Sequence, residues 1–187
     1  MKTPYPEFII IRSREEWRDW LELNHNKEKE QWISIFRKKH AHKGLTYEDA
    51  VEEALCFGWI DGVMRSLDEE KFIQRFSPRR NKSPWSLRNK NKAEKMIGEG
   101  KMTEAGLKMI EEAKKNGWWG NAYSSKTEPE IPEDLKKAFK LYPKLSGRFR
   151  KMSNSDQFRY IYWLNNAKRT ETREKRINEI IEKILKY

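Results

Sequence analysis

FGWIDGVMRSLDEEKFIQRFSPRRNKSPWSLRNKNK, residues 57–92, decides how this chain folds. GVMRSL and KFIQRF flank Asp68-Glu69-Glu70, a polar turn between two strand-forming runs, and so predict an antiparallel hairpin. A turn centred on Glu69 sets Asp61 opposite Ser77 and close to Arg79, and a one-residue slip would turn that side chain to the other face. Beyond the hairpin, Ser83-Pro84 has the composition of a helix start, with Ser as cap and Pro in the first turn. A helix beginning there aims its exposed N–H groups and positive dipole end at the basic residues around Trp85, which favours a bound anion.

Upstream, EFIIIR predicts a short strand, and Ser13 with Glu16 forms a capping box for a helix that places Trp17, Trp20, Leu21 and Asn24 on one face. QWISIFRK, near residues 31–38, predicts a second strand. Thr46 with Asp49 opens a helix whose stripe is Ala50, Val51, Ala54 and Leu55, with Gly58 fitting the position just past its end. Downstream, the helix after Ser83 is expected to stop near Gly98 or Gly100, and another to run from Glu104 to Asn116. Residues 120–132, GNAYSSKTEPEIP, read as a linker. Four helices follow, opened by Pro132, Pro143, the Ser153/Asp156 capping box and Thr170; Ile177, Ile180, Ile181, Ile184 and Leu185 form a packing stripe on the last. The expected fold is α+β: a small antiparallel sheet packed with helices in a domain of residues 1–119, the linker, and a helical C-terminal subdomain of residues 133–187.

The chain has 187 residues, 37% of them charged, yet its aromatic share of 12% and eight Trp supply enough large apolar groups for a core. No stretch approaches the roughly 20 apolar residues of a membrane helix, and MKTPYPEF lacks the apolar segment of a signal peptide, so a cytoplasmic location is expected. The single Cys56 has no disulfide partner and reads as a small packing residue. Asn81-Lys82-Ser83 matches a glycosylation sequon by chance.

The net charge of +11 is localised: residues 1–70 sum to −4, and residues 71–93 contribute +8 with no acidic residue. The candidate anion-binding residues are Arg75, Arg79, Arg80, Lys82, Ser83, Trp85, Asn89, Lys90 and Lys92, with Asp61 as a nearby carboxylate. Each has an ordinary alternative. The block can be a solvated basic face, Asp61 can cap a turn or pair with an Arg, and Trp85 can fold onto the core. Arg75, Arg79 and Arg80, three guanidinium groups within six positions, demand neutralisation by carboxylates from elsewhere or by a bound anion.

Several chemistries are excluded. GEGKMT near Gly98 is not a phosphate loop, because Lys95 stands where a Gly is required and Met102 where Ser or Thr is. His40 and His42 lack the partners of a metal site, and there is no GxSxG elbow. No catalytic residue, cofactor or metal is expected.

At FGWIDG, RFSPRR, SPWSLRNK, GKMTEAGLKMI and the C-terminal YIYWLNNAKRTETREKRINEIIEKIL, with AKRTETR its most recognisable string, the sequence resembles the YdeI/OmpD-associated family of small bacterial proteins, also called bacteriocin-protection proteins. The resemblance implies a role in tolerance of antimicrobial peptides or bacteriocins, an association with an outer-membrane porin, and no settled reaction. The leading expectation is a non-enzymatic protein that binds an anionic partner, nucleic acid first among them, through the basic–aromatic patch. One alternative is an enzyme or sensor for a phosphorylated or carboxylated metabolite, for which a pocket beside Asp61 would speak; a flat basic face would favour nucleic acid. Another is an interaction protein of envelope stress whose C-terminal helices meet a protein partner, marked by exposed Ile177 and Ile181. Capture of a cationic peptide is opposed by the net charge.

Overall fold

The computed structural model describes residues 5–81, 83–124 and 129–186 of the chain, which form two compact units. One comprises the chain to residue 81 with residues 88–120; the other comprises residues 83–87 and the chain from residue 121. Lys82 and residues 125–128 of the expected linker lie outside the described residues.

The first unit holds β1 (Ile9–Ile10), α1 (Arg14–Asn24), β2 (Gln31–Phe36), a 3-10 helix (Lys38–Lys43), α2 (Tyr47–Cys56), β3 (Trp59–Ser66), β4 (Lys71–Pro78), α3 (Leu87–Gly98) and α4 (Glu104–Lys115). The strand order is β1-β2-β4-β3. β4 pairs antiparallel with β2 and β3, but β1 runs parallel to β2, so the sheet is mixed where a purely antiparallel one is expected. The cause is α1, which carries the chain back across the sheet before β2 begins, as any parallel pair requires.

The hairpin also departs from its expected register. Met64 faces Gln74 and Arg65 faces Ile73, as a turn centred on Glu69 dictates, but an irregularity between Asp61 and Met64 shifts the rest by one. Asp61 therefore faces Phe76, and Ile60 takes the place opposite Ser77. Gln74 stabilises the irregularity by donating its side-chain N–H to the Gly62 carbonyl at 2.9 Å. A bulge of this kind re-aims the residues beside it.

Local signals place α1 and α2. Ser13 Oγ accepts from the Glu16 amide and Thr46 Oγ1 from the Asp49 amide. Trp17 and Leu21 are fully buried; Trp17 stacks on Trp20 at 5.2 Å and packs against Phe76 at 5.4 Å. The buried indoles keep their hydrogen bonds, Trp17 donating to the Ala50 carbonyl and Trp59 to that of His25, both at 3.0 Å. Cys56 is buried, and burial pushes its thiol up to about 11, as suits a packing residue.

The end of α2 meets the start of α4 closely. Gly58 takes φ of 73°, and Thr103 donates its hydroxyl to the Cys56 carbonyl at 2.6 Å. A Cβ on Gly106 would lie 2.4 Å from that same carbonyl oxygen, so only a bare backbone fits.

The second unit packs α5 (Glu133–Leu141), α6 (Pro143–Lys151), α7 (Asn154–Asn165) and α8 (Thr170–Leu185) around Leu135, Phe139, Leu145, Phe149, Leu164, Ile180 and Ile184. Ile177 and Ile181 are half-buried against this core and do not form the exposed stripe that would mark a partner surface. Arg173, the last residue of AKRTETR, pairs with Asp134 at the start of α5 and donates to the Leu164 carbonyl near the end of α7 at 3.0 Å. This bond from Arg173 holds the Asp134 carboxyl below its ordinary value. Among the described residues no helix is long and apolar enough to cross a membrane.

Two substitutions test these contacts by thermal unfolding. Gly106→Ala should cost about 1–3 kcal/mol through overpacking. Arg173→Ala should cost about 1–3 kcal/mol by leaving Asp134 and a helix-end carbonyl without their charged donor.

Candidate functional site

The basic segment runs from β4 through the link into α3, and among the described residues four of its eight cations, Arg75, Arg88, Lys90 and Lys92, meet carboxylates of the first unit. Arg75, opposite Trp32 on the sheet, pairs with Glu30 at 3.2 Å and lies against Gly62. Its Nε is buried with no hydrogen-bond partner. Arg79 is 7% exposed, and its backbone N–H donates to the Gly58 carbonyl at 2.9 Å; Arg80 is exposed. Lys82 lies outside the described residues.

Ser83-Pro84 does not start a helix. Tyr123 donates its amide to the Trp85 carbonyl at 3.0 Å and accepts the Leu87 amide at 2.7 Å, forming a parallel bridge with Ser86. This pairing holds the link extended, and α3 begins at Leu87. Local capping preference yields to a partner distant in sequence, and Trp85, 2% exposed, sits ahead of the helix and away from the first-turn position that the dipole argument requires. Ser83 and Asn89 are half-buried.

On α3, Lys90 lies 5.5 Å from the Trp119 ring centre and 4.0 Å from Glu94. Lys92 is buried, reaching Glu48 at 2.5 Å and Glu52 at 3.3 Å. Arg88 also pairs with Glu48, and Lys95 reaches Glu52 at 3.2 Å. From the other side, α1 presents Arg14 to Asp49 at 2.8 Å, Glu52 at 3.0 Å and Glu53 at 2.6 Å, and Arg18 to Glu53 at 2.6 Å. The i, i+4 spacing of Glu48/Glu52 and Asp49/Glu53 puts all four acids on one side of α2, where Arg14/Arg18 and Arg88/Lys92 match it and Lys95 follows Lys92 at i, i+3. Glu52 and Glu53 are 7% and 2% exposed, an unusual depth for carboxylates, and their pairing explains it. Burial opposes the ionised form of Glu52, but Lys92, Lys95 and Arg14 outweigh it and hold the carboxyl below its ordinary value. Glu48 is depressed in the same way by Lys92 and Arg88. For Arg14 burial acts downward, and its ion pairs with Glu53, Glu52 and Asp49 prevail and raise it.

Beside this network a groove of about 520 Å³ opens between the 3-10 helix, the start of α2 and the sheet. Phe36, Tyr47, Met64 and Phe72 supply its large apolar walls, and Ala41, Thr46, Lys38 and Glu48 complete the lining. Tyr47 is the link to Asp61: its hydroxyl donates to Asp61 Oδ2 at 2.6 Å. Burial, together with the Asp61 carboxylate, raises the Tyr47 phenol well above its ordinary value, so it remains a donor across the physiological range. Arg88 lies 5.5 Å from the Tyr47 ring centre and Lys71 lies 4.7 Å from that of Phe36. Of the candidates read from sequence, Asp61 meets the groove wall through Tyr47 and Lys92 through Glu48, while Arg75 and Lys90 face carboxylates away from it. Tyr47 and Phe36 carry no motif of their own in the sequence, and Phe72 stands out there only as an aromatic interleaved in the basic stretch. Among the described residues no three His, Cys, Asp or Glu side chains gather as a metal site.

The acid side of the network sets a pH dependence. Glu48 and Glu52 have folded values depressed below an ordinary 4.5, so their stabilisation is present above that pH and is lost as pH falls through the depressed values. Chemical denaturation between pH 6 and pH 3 should show stability falling on acidification. Glu52→Gln should be less stable at pH 6 and show a shallower fall.

Comparison with known families follows the division of the chain. Residues 9–109 match a domain of unknown function, DUF8412, and residues 128–187 match the family described as bacteriocin-protection, YdeI or OmpD-associated. FGWIDG, RFSPRR and SPWSLRNK lie in the first match and AKRTETR in the second. Neither the curated proteins nor the solved structures contain a match to the chain. The chain therefore belongs to the DUF8412 family through its sheet-bearing region and carries the bacteriocin-protection, YdeI/OmpD-associated family region at its C-terminus.

Proposed function

We propose that this chain is a non-catalytic cytoplasmic binding protein that holds a small ligand in the groove beside Tyr47 and Asp61, and that this binding serves the bacteriocin protection named in the description of the family matched at residues 128–187. The observation that carries the reading is the groove itself: about 520 Å³, walled by aromatic side chains, with one hydroxyl–carboxylate pair at its side. Small-molecule sites commonly have this make-up, an apolar cavity of a few hundred Å³ with few polar groups.

The fate of the basic segment supports the choice of a small ligand over nucleic acid. A phosphate backbone meeting Arg75, Arg88 or Lys92 would have to displace Glu30, Glu48 or Glu52 from contacts of 3.3 Å or less. Arg75, Lys90 and Lys92 act here as structural cations. Arg80 remains exposed and adds to the positive field without forming a groove.

Native mass spectrometry of the protein purified from its own cells tests this reading. A small-molecule adduct is expected on the wild type and should be missing from Ala41→Trp, whose side chain fills the groove. Co-purifying nucleic acid, released by salt and lost on charge reversal at Arg79 and Arg80, would overturn it.

A further inference from the structure

We infer that the groove is selective for an aromatic anion, a planar ring system bearing a carboxylate, sulfonate or phosphate; this rests on the ligand-groove reading above. Three rings and a thioether supply the walls. Tyr47 and Phe72 stand 6.5 Å apart at a tilt of 52°, a spacing that presents ring faces and edges to a planar guest. Met64 is 57% exposed on β3 and lines the same groove, where a soft, unbranched side chain adapts to ring edges.

The charges around the groove decide its sign. The carboxylates by the walls have partners: Glu48 holds Arg88 and Lys92, Asp49 accepts from Thr46 Oγ1 at 2.6 Å and from Arg14, and Asp61 accepts from the neutral Tyr47 hydroxyl and keeps its charge. The cations are not matched in the same way. Lys38 lines the groove and, among the described residues, has no carboxylate in ion-pair range. Lys71 likewise lacks one and lies over Phe36, a second wall residue. An apolar aromatic cavity with spare positive charge at its edge complements a guest with a ring body and one negative group. A cationic guest would meet two such lysines, Lys38 and Lys71, against the one Asp61 carboxylate that a neutral hydroxyl holds.

Fluorescence titration with two naphthalene probes tests the assignment on the full chain. One is 8-anilinonaphthalene-1-sulfonate; the other is its uncharged relative N-phenyl-1-naphthylamine. The sulfonate should bind the wild type saturably and more tightly than the neutral probe. Lys38→Glu should weaken the sulfonate about fivefold to tenfold, as reversal of an exposed charge would, and leave the neutral probe within about twofold. Ala41→Trp should abolish both signals, and Met64→Trp, at an exposed position that leaves folding intact, should do the same. Equal affinity for the two probes, or indifference of the sulfonate to Lys38→Glu, would overturn the anion assignment while the groove stands. Absence of binding by either probe, or binding untouched by both Trp variants, would overturn the groove reading itself.

Discussion

The burial of Glu52 and Glu53 is the constraint on which the first unit turns. A carboxylate taken out of water is costly unless cations and hydrogen bonds surround it, and α2 buries two of them side by side. Their location requires α1 to bring Arg14 and Arg18 to one flank and α3 to bring Lys92 and Lys95 to the other. Once α2 is held between those helices, its first residue, Tyr47, is fixed against Phe72 and Asp61, and the groove acquires its wall. Charge pairing of this kind specifies which helix faces meet more than it adds net stability.

This arrangement changes the meaning of the basic run. On the sequence the block from Lys71 to Lys92 is a concentration of eight cations without an acid, beside a negative N-terminal region. In the fold the two regions answer one another: Glu30, Glu48 and Glu52 come from the negative part and Arg75, Arg88 and Lys92 from the positive. The charge asymmetry along the chain was the visible trace of an internal contact. Which of an internal carboxylate or an external anion neutralises such a run depends on which helices adjoin, and helical spacing alone does not say.

Features governed by a few neighbouring residues were legible. The Ser13, Thr46 and Ser153 caps, the left-handed Gly58 and the helix starts at Pro132 and Pro143 all follow from short-range chemistry. What was not legible depends on distant partners. Ser83-Pro84 carries a good capping signal, but pairing of Trp85 and Leu87 with Tyr123 overrides it. The one-residue shift at Asp61 needs Gln74 across the hairpin, and the parallel β1 is only two residues long. The groove draws its lining from residues spread between Phe36 and Phe72, on three strands, a 3-10 turn and a helix start, so no single motif announces it. Asp61 was singled out for its carboxylate, read as a turn cap, an arginine partner or a ligand contact; the fold gives it the Tyr47 hydroxyl.

The proposed binding mode places ligands in the aromatic groove and leaves the paired cations Arg75, Arg88 and Lys92 with their carboxylates. Amide chemical-shift mapping by NMR, with the naphthalene sulfonate and a single-stranded oligonucleotide added separately, tests it most directly. Groove binding gives saturable shifts from the sulfonate confined to residues around Phe36–Glu48 and Met64–Phe72, and only weak, salt-sensitive shifts from the oligonucleotide. Saturable oligonucleotide shifts centred on Arg75–Lys92, with the groove silent toward the sulfonate, would contradict it.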